Sequence, residues 1–219
     1  MSGRHIIIMN KFVPLFFVLF LSSCISTSLD DIIASTPIIE GRGSGVVVRI
    51  MPHNEKYDTA IVLTASHVIV YDMTTMVFNI SLFKGTAIDQ PFLFVGWIIA
   101  KDPNSDIALI AVPVPKGSLK AITCRPDKAP MGTKLKKIGH MYMNIIYSEG
   151  SLGGWGEKFS LYTGIVGAGD SGCGVYDEQN RLVGIVHGYF AMGRASPVGM
   201  FVPINDKIID KYMNSYKGM

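Results

Sequence analysis

Residues 167–174 read G-A-G-D-S-G-C-G, and the chain on either side is organised around them. At their centre, Gly169-Asp170-Ser171-Gly172 sets a serine between glycines, after one strand-like run (158–166) and before another that begins at Val175. Glycines let the backbone turn tightly and aim its N–H groups inward, as a hole for a developing oxyanion requires. Taken alone, a string of Gly, Asp and Ser is also an ordinary turn. Two segments upstream decide between these readings.

They are Leu63-Thr64-Ala65-Ser66-His67 and Ser105-Asp106-Ile107-Ala108-Leu109-Ile110. With Gly-Asp-Ser-Gly, in the order His, Asp, Ser, they resemble the three signature blocks of the trypsin-like (chymotrypsin-fold) serine peptidases. Chain order matters, because unrelated folds reach the same constellation in other orders. The resemblance covers the chain from about Gly41 to its end.

The first 23 residues read as an address. Arg4, His5 and Lys11 precede an almost wholly apolar run, 12–21, and Leu21-Ser22-Ser23-Cys24 follows. That is the layout of a signal peptide, too short in its apolar part to span a bilayer comfortably. The ending resembles a bacterial lipobox, which implies lipidation at Cys24 and an exported, extracytoplasmic, membrane-anchored protein; an ordinary secretory signal is the alternative. The address carries two of the 20 Lys and Arg and none of the 17 Asp and Glu, so the remainder is close to neutral. Such a balance gives no sign of a nucleic-acid partner. The nearest basic cluster, Lys134-Leu135-Lys136-Lys137, reads as a solvated strand edge.

Residues 24–39 lack periodicity and read as a tether with local turns. From there the pattern is β throughout: runs at 43–51, 59–64, 76–83, 91–100 and 107–114, then at 134–141, 144–151, 158–166, 174–177, 182–189 and 199–204. Pro, Asn, Asp and Gly turns separate them, and no comparable helical pattern intervenes. Residues 115–130, with prolines and scattered charges, read as a linker between halves 40–114 and 131–219. Asn205 can cap a closing helix to about Tyr216, with Ile208, Ile209 and Tyr212 on one face. Many short strands without crossover helices predict an all-β chain of closed or sandwiched antiparallel sheet. The resemblance makes this specific. It implies two antiparallel six-stranded β-barrels packed side by side, with a C-terminal helix and the active site in the cleft between them.

The resemblance also assigns roles. Ser171 is the nucleophile and His67 the base that takes its proton, since an imidazole with an ordinary pKa of about 6.5 can do so near neutral pH. Asp106 orients His67 and stabilises its cation. Asp102 competes for that role, but Asp106 directly precedes the apolar run, and Asp102, beside Pro103 and Asn104, suits a turn. The N–H groups of Gly169 and Ser171 form the oxyanion hole. In relatives activated by cleavage, the aspartate equivalent to Asp170 pairs with the new N-terminus. No such start is evident here, so Asp170 is expected to find another partner.

Cys173 stands where the family usually has a second glycine, and its side chain needs room beside the nucleophile. It and Cys124 are expected as free, mostly buried thiols. By the resemblance, Ile165 lies at the base of the primary specificity pocket, with His187 and Tyr189 on its wall. Without a carboxylate there, cleavage after Arg or Lys is not expected. Apolar or small side chains come first, with Glu or Gln following if His187 points into the pocket. No CxxC, HExxH or glycine-rich nucleotide loop is present, so no metal or cofactor is expected. The function implied is a membrane-tethered serine endopeptidase acting on protein or peptide. The rival is a protease-fold binding protein with weak or no turnover.

Overall fold

Two strands of the first half, 57–64 and 107–115, are buried on both faces, and their alternation explains how two halves come together. The computed structural model describes residues 27–39, 42–70, 78–82, 92–141, 144–190 and 198–217. The address segment and Cys24 lie outside them. Strand β4 (Tyr57–Thr64) is buried along seven of its eight residues. Its even positions, Ala60 and Val62, join a cluster built wholly from the first half. Its odd positions, Ile61 and Leu63, join a second cluster that draws residues from both halves. A side-chain period of two separates these faces.

The first half comprises α1 (Leu29–Ala34), β1 (Ile38–Ile39), β2 (Gly43–Ser44), β3 (Val46–Pro52), β4, a single 3-10 turn (Ser66–Val68), β5 (Phe78–Leu82), β6 (Phe92–Asp102) and β7 (Ile107–Pro115). Its seven-stranded antiparallel sheet has the order β2-β1-β5-β6-β7-β4-β3. The two ends of that sheet, β2 and β3, are consecutive in the chain, with only Gly45 between them. The sheet therefore curls until its ends meet in one interrupted strand, and counting that strand once gives the expected six. Gly45 has no alternative at this corner, since a Cβ would stand 2.5 Å from Val62 Cγ1.

The second half is a closed antiparallel barrel in the order β10-β13-β12-β11-β8-β9. These strands are β8 (Lys134–Met141), β9 (Asn144–Trp155), β10 (Ser160–Tyr162), β11 (Gly174–Tyr176), β12 (Leu182–Phe190) and β13 (Val198–Pro203). Leu135, Leu152, Tyr162, Val175 and Phe201 belong to its own core. Helix α2 (Asp206–Lys217) closes the chain, with Asn205 Oδ1 accepting the Ile208 N–H at 3.0 Å. Its Ile209 and Tyr212 are buried in the cluster shared by the two halves.

Two segments expected to be loose are packed. Ser28 and Asp31 form a capping box that starts α1, and Ile32 and Ile33 insert into the shared cluster. At roughly 1.5–3 kcal/mol for each fully buried large apolar side chain, this docking outweighs the weak helix signal of six residues. The connection after β7 is likewise stitched down: the Ile122 N–H donates to Val47 in the first half, and the Arg125 N–H to Leu182 in the second.

Candidate active site

Asp106 closes the turn between β6 and β7 with φ of 53°, a left-handed conformation that Asp tolerates better than most residues. Its carboxylate accepts from the Ser66 hydroxyl at 3.1 Å, the His67 backbone N–H at 3.1 Å and His67 Nδ1 at 3.0 Å. Burial pushes the Asp106 carboxyl up, but hydrogen bonds from His67 and His187 outweigh it and bring its pKa down to about 2. An ionised carboxylate only accepts, so His67 Nδ1 carries a proton, and in the neutral ring Nε2 is the nitrogen with the lone pair. Asp102 is the turn residue: Oδ1 accepts the Asn104 N–H at 2.9 Å, and Oδ2 accepts the Tyr212 hydroxyl at 2.6 Å.

The Ser171 loop leaves the second barrel between β10 and β11 and docks on the first half. The Ser44 N–H donates to the Ser171 carbonyl at 2.8 Å, and the Ser44 hydroxyl donates to the Gly169 carbonyl at 2.9 Å. Gly172 has φ of +83°, and a Cβ there would stand 2.2 Å from Thr64 Oγ1 and 2.9 Å from the Ala65 nitrogen. Only glycine lets the loop lie this close to the His67 turn. The N–H groups of Gly167, Asp170, Gly172 and Cys173 are all spoken for. Those of Gly169 and Ser171 donate to nothing among the described residues. The Ser171 hydroxyl and His67 Nε2 are not hydrogen-bonded to each other.

Asp170 is sealed beneath this loop. Lys137 and Asp170 are both fully buried and form an ion pair, while Asp170 Oδ2 also accepts the Gly167 N–H at 2.8 Å. The expected solvated edge at 134–137 is thus corrected: β8 is paired on both sides, and Lys137 faces inward with Leu135. Cys173 finds its room at Gly139, where a Cβ would stand 2.7 Å from Cys173 Sγ. Burial pushes the Cys173 thiol up, and both Cys124 and Cys173 are free and buried.

The sequence matches the trypsin-like peptidase domain over residues 43–185. The chain belongs to the trypsin-like peptidase family. Its fold is similar to that of the serine endoprotease from Yersinia pestis, with a TM-score of 0.64 at 17% identity. The match covers 85% of this chain and 64% of that one, so the chain spans about two thirds of that relative. No curated protein matches it in sequence.

Within this trypsin-like chain, Ile165 and Tyr189 are exposed, whereas His187 takes a different place from the pocket wall expected of it. Its Nδ1 lies 2.5 Å from Asp106 Oδ2, and its ring stacks on Phe159 at 4.2 Å between centroids. The cause is a β-bulge. Val186 pairs with Phe201 and Gly188 with Met200, which leaves His187 as the extra residue on β12. Bulges re-aim a side chain, and periodicity cannot foresee them.

Among the described residues, His67, Asp106 and His187 also form a group of possible metal ligands. Their nitrogens sit at hydrogen-bond distance directly on the carboxylate, closer than the roughly 3.3 Å between neighbouring ligands of a tetrahedral ion. Sequence reasoning missed Ser44, Lys137 and the contact made by His187. Only Lys137 left a signal, since it alternates in phase with Leu135.

Proposed function

We propose that the protein is a serine endopeptidase acting on protein or peptide. The observation that carries this reading is the pairing of a His67 anchored through Nδ1 to Asp106, so that the neutral ring offers Nε2 as a base, with the Gly169 and Ser171 N–H groups, which donate to nothing among the described residues. Ser171 Oγ attacks the scissile carbonyl carbon as its proton passes to His67 Nε2. The Gly169 and Ser171 N–H groups bind the oxyanion. His67 then gives the proton to the departing amine as the C–N bond breaks, leaving an acyl-enzyme. Water attacks the ester, His67 takes its proton, and Ser171 regains it as the acid leaves.

The Lys137–Asp170 pair supplies the counter-ion that cleaved relatives take from a new N-terminus, so activity requires no internal cut. The primary pocket, with Ile165 at its base, accepts apolar or small side chains and not Arg or Lys. The Glu or Gln alternative loses its recognition residue, because His187 is engaged by Asp106. The protein is exported and tethered through lipidated Cys24. Cys24→Ala should release it from membranes, and unchanged partitioning would end that part of the reading.

A binding protein without turnover is the second reading, favoured by the missing Ser171–His67 hydrogen bond. That bond is often long in proteins without substrate. Labelling with a fluorophosphonate separates the two. Labelling lost in Ser171→Ala and His67→Ala establishes an activated serine, and folded wild-type protein that never labels is the binder.

A further inference from the structure

One carboxylate serves two imidazoles here. Asp106 Oδ2 lies 3.0 Å from His67 Nδ1 and 2.5 Å from His187 Nδ1. Because an ionised carboxylate donates nothing, both nitrogens must carry protons. The two rings meet edge to face at 5.5 Å between centroids. The His187 side chain is 30% exposed, so the ring is in contact with solvent.

We propose that His187 is a positioning residue for His67 whose own protonation state switches that support on and off. The proposal rests on His67 being the base. Neutral His187 donates to Asp106 and fixes the carboxylate for His67. Cationic His187 draws the same negative charge to itself, just where His67 must become an imidazolium in the transition state. Two cations would then share one anion, and the reaction slows. The surroundings reinforce this. Asp106 comes from the β6–β7 turn, His67 from the 3-10 turn, and Phe159 and Lys158 from the loop before β10. Lys101, at the end of β6, lines the same cavity of about 500 Å³. Asp106 is the only acid among the described residues lining that cavity.

Either imidazole taking up a proton should therefore inactivate the free enzyme, and the acid limb of kcat/KM should report both. His187→Asn keeps a donor near the Nδ1 position and removes the titration. Its plateau kcat should stay within a few-fold of wild type, and its acid limb should be a single ionisation at lower pH. At pH 5 it should retain a roughly threefold larger fraction of plateau activity than wild type. His187→Ala, without a donor, should lose about tenfold in plateau kcat with KM unchanged, and Asn should rescue most of that loss. An acid limb in His187→Asn identical to wild type would overturn the proposal, as would a His187→Ala enzyme with wild-type kcat.

A readout without turnover separates this from failure of the peptidase reading. In Ser171→Ala protein, ring resonances of His67 followed by NMR should show two coupled steps, reduced to one by the further change His187→Asn. A His67 curve indifferent to His187 would refute the linkage even if the enzyme were active. An inactive wild type with coupled curves would refute the peptidase reading alone.

Discussion

Asp106 and Asp170 are both buried carboxylates at the cleft, yet they are balanced by different bases. Asp106 faces two imidazoles whose side chains remain 45% and 30% exposed. Asp170 faces a lysine with no exposure at all. An imidazole can gain and lose a proton near neutral pH, whereas the Lys137–Asp170 pair is closed off from solvent on both sides. One end of the cleft is thus built for proton traffic, and the other for a fixed shape. The difference places chemistry at Asp106 and loop geometry at Asp170.

The largest effects should come from breaking the first end, and they should be kinetic. Ser171→Ala and His67→Ala should each remove nearly all turnover, and the double variant should cost little more, because each residue is useless without the other. Asp106→Asn should lose roughly 10⁴-fold in kcat by favouring the wrong tautomer of His67. Unfolding midpoints in urea should barely move for Ser171→Ala. Multiplicative losses in the double variant would argue that the residues do not act together.

Breaking the second end should instead strike stability. Lys137→Met strands the buried Asp170 charge and should cost about 3–5 kcal/mol in urea unfolding. Adding Asp170→Asn should recover part of that stability without restoring fluorophosphonate labelling, because the loop still lacks its ion pair. A Lys137→Met protein with wild-type stability and labelling would erase the contrast between the two ends.

Acid sharpens the comparison further. The Asp106 carboxyl falls from its ordinary 3.8 to about 2 on folding. The folded value is the lower one, so ionised Asp106 contributes stability that is fully present above about pH 4 and fades as pH falls through 2. The contribution is on the order of 2 kcal/mol. The stability difference between wild type and Asp106→Asn should shrink between pH 4 and pH 2. A difference that stays constant over that range would contradict the assigned cause.

Legibility in the sequence followed the same division. Short motifs with a fixed order marked His67, Asp106 and Ser171, and strand alternation marked most of the β segments. Contacts made across the cleft left little trace. Ser44 binds Gly169 from 125 residues away in sequence, and His187 reaches Asp106 across 81. The bulge at His187 breaks the period of two on which a strand reading depends. Helix α1 was hidden for another reason: six residues give too few turns to show a period, and burial of Ile32 and Ile33, not propensity, holds it.

The smallest effect concerns Cys173, beside the nucleophile loop but on neither side of the contrast. Its thiol is fully buried, pushed up by desolvation, and packed over Gly139, so it neither titrates with the site nor meets solvent. Gly139 on β8 leaves the space the sulfur fills. Cys173→Ala should therefore cost only about 1 kcal/mol, the loss of one buried atom's packing. Labelling at Ser171 should be unchanged, and the native thiol should resist alkylation until the protein unfolds. Gly139→Ala is the sharper companion, because its Cβ would stand 2.7 Å from Cys173 Sγ, Asp170 Oδ1 and Cys173 Cβ, the last of which survives in Cys173→Ala. Shortening Cys173 should relieve only the first of those clashes, so the double variant should remain impaired. Full recovery in it would mean that Gly139 serves Cys173 alone and has no part in seating Asp170.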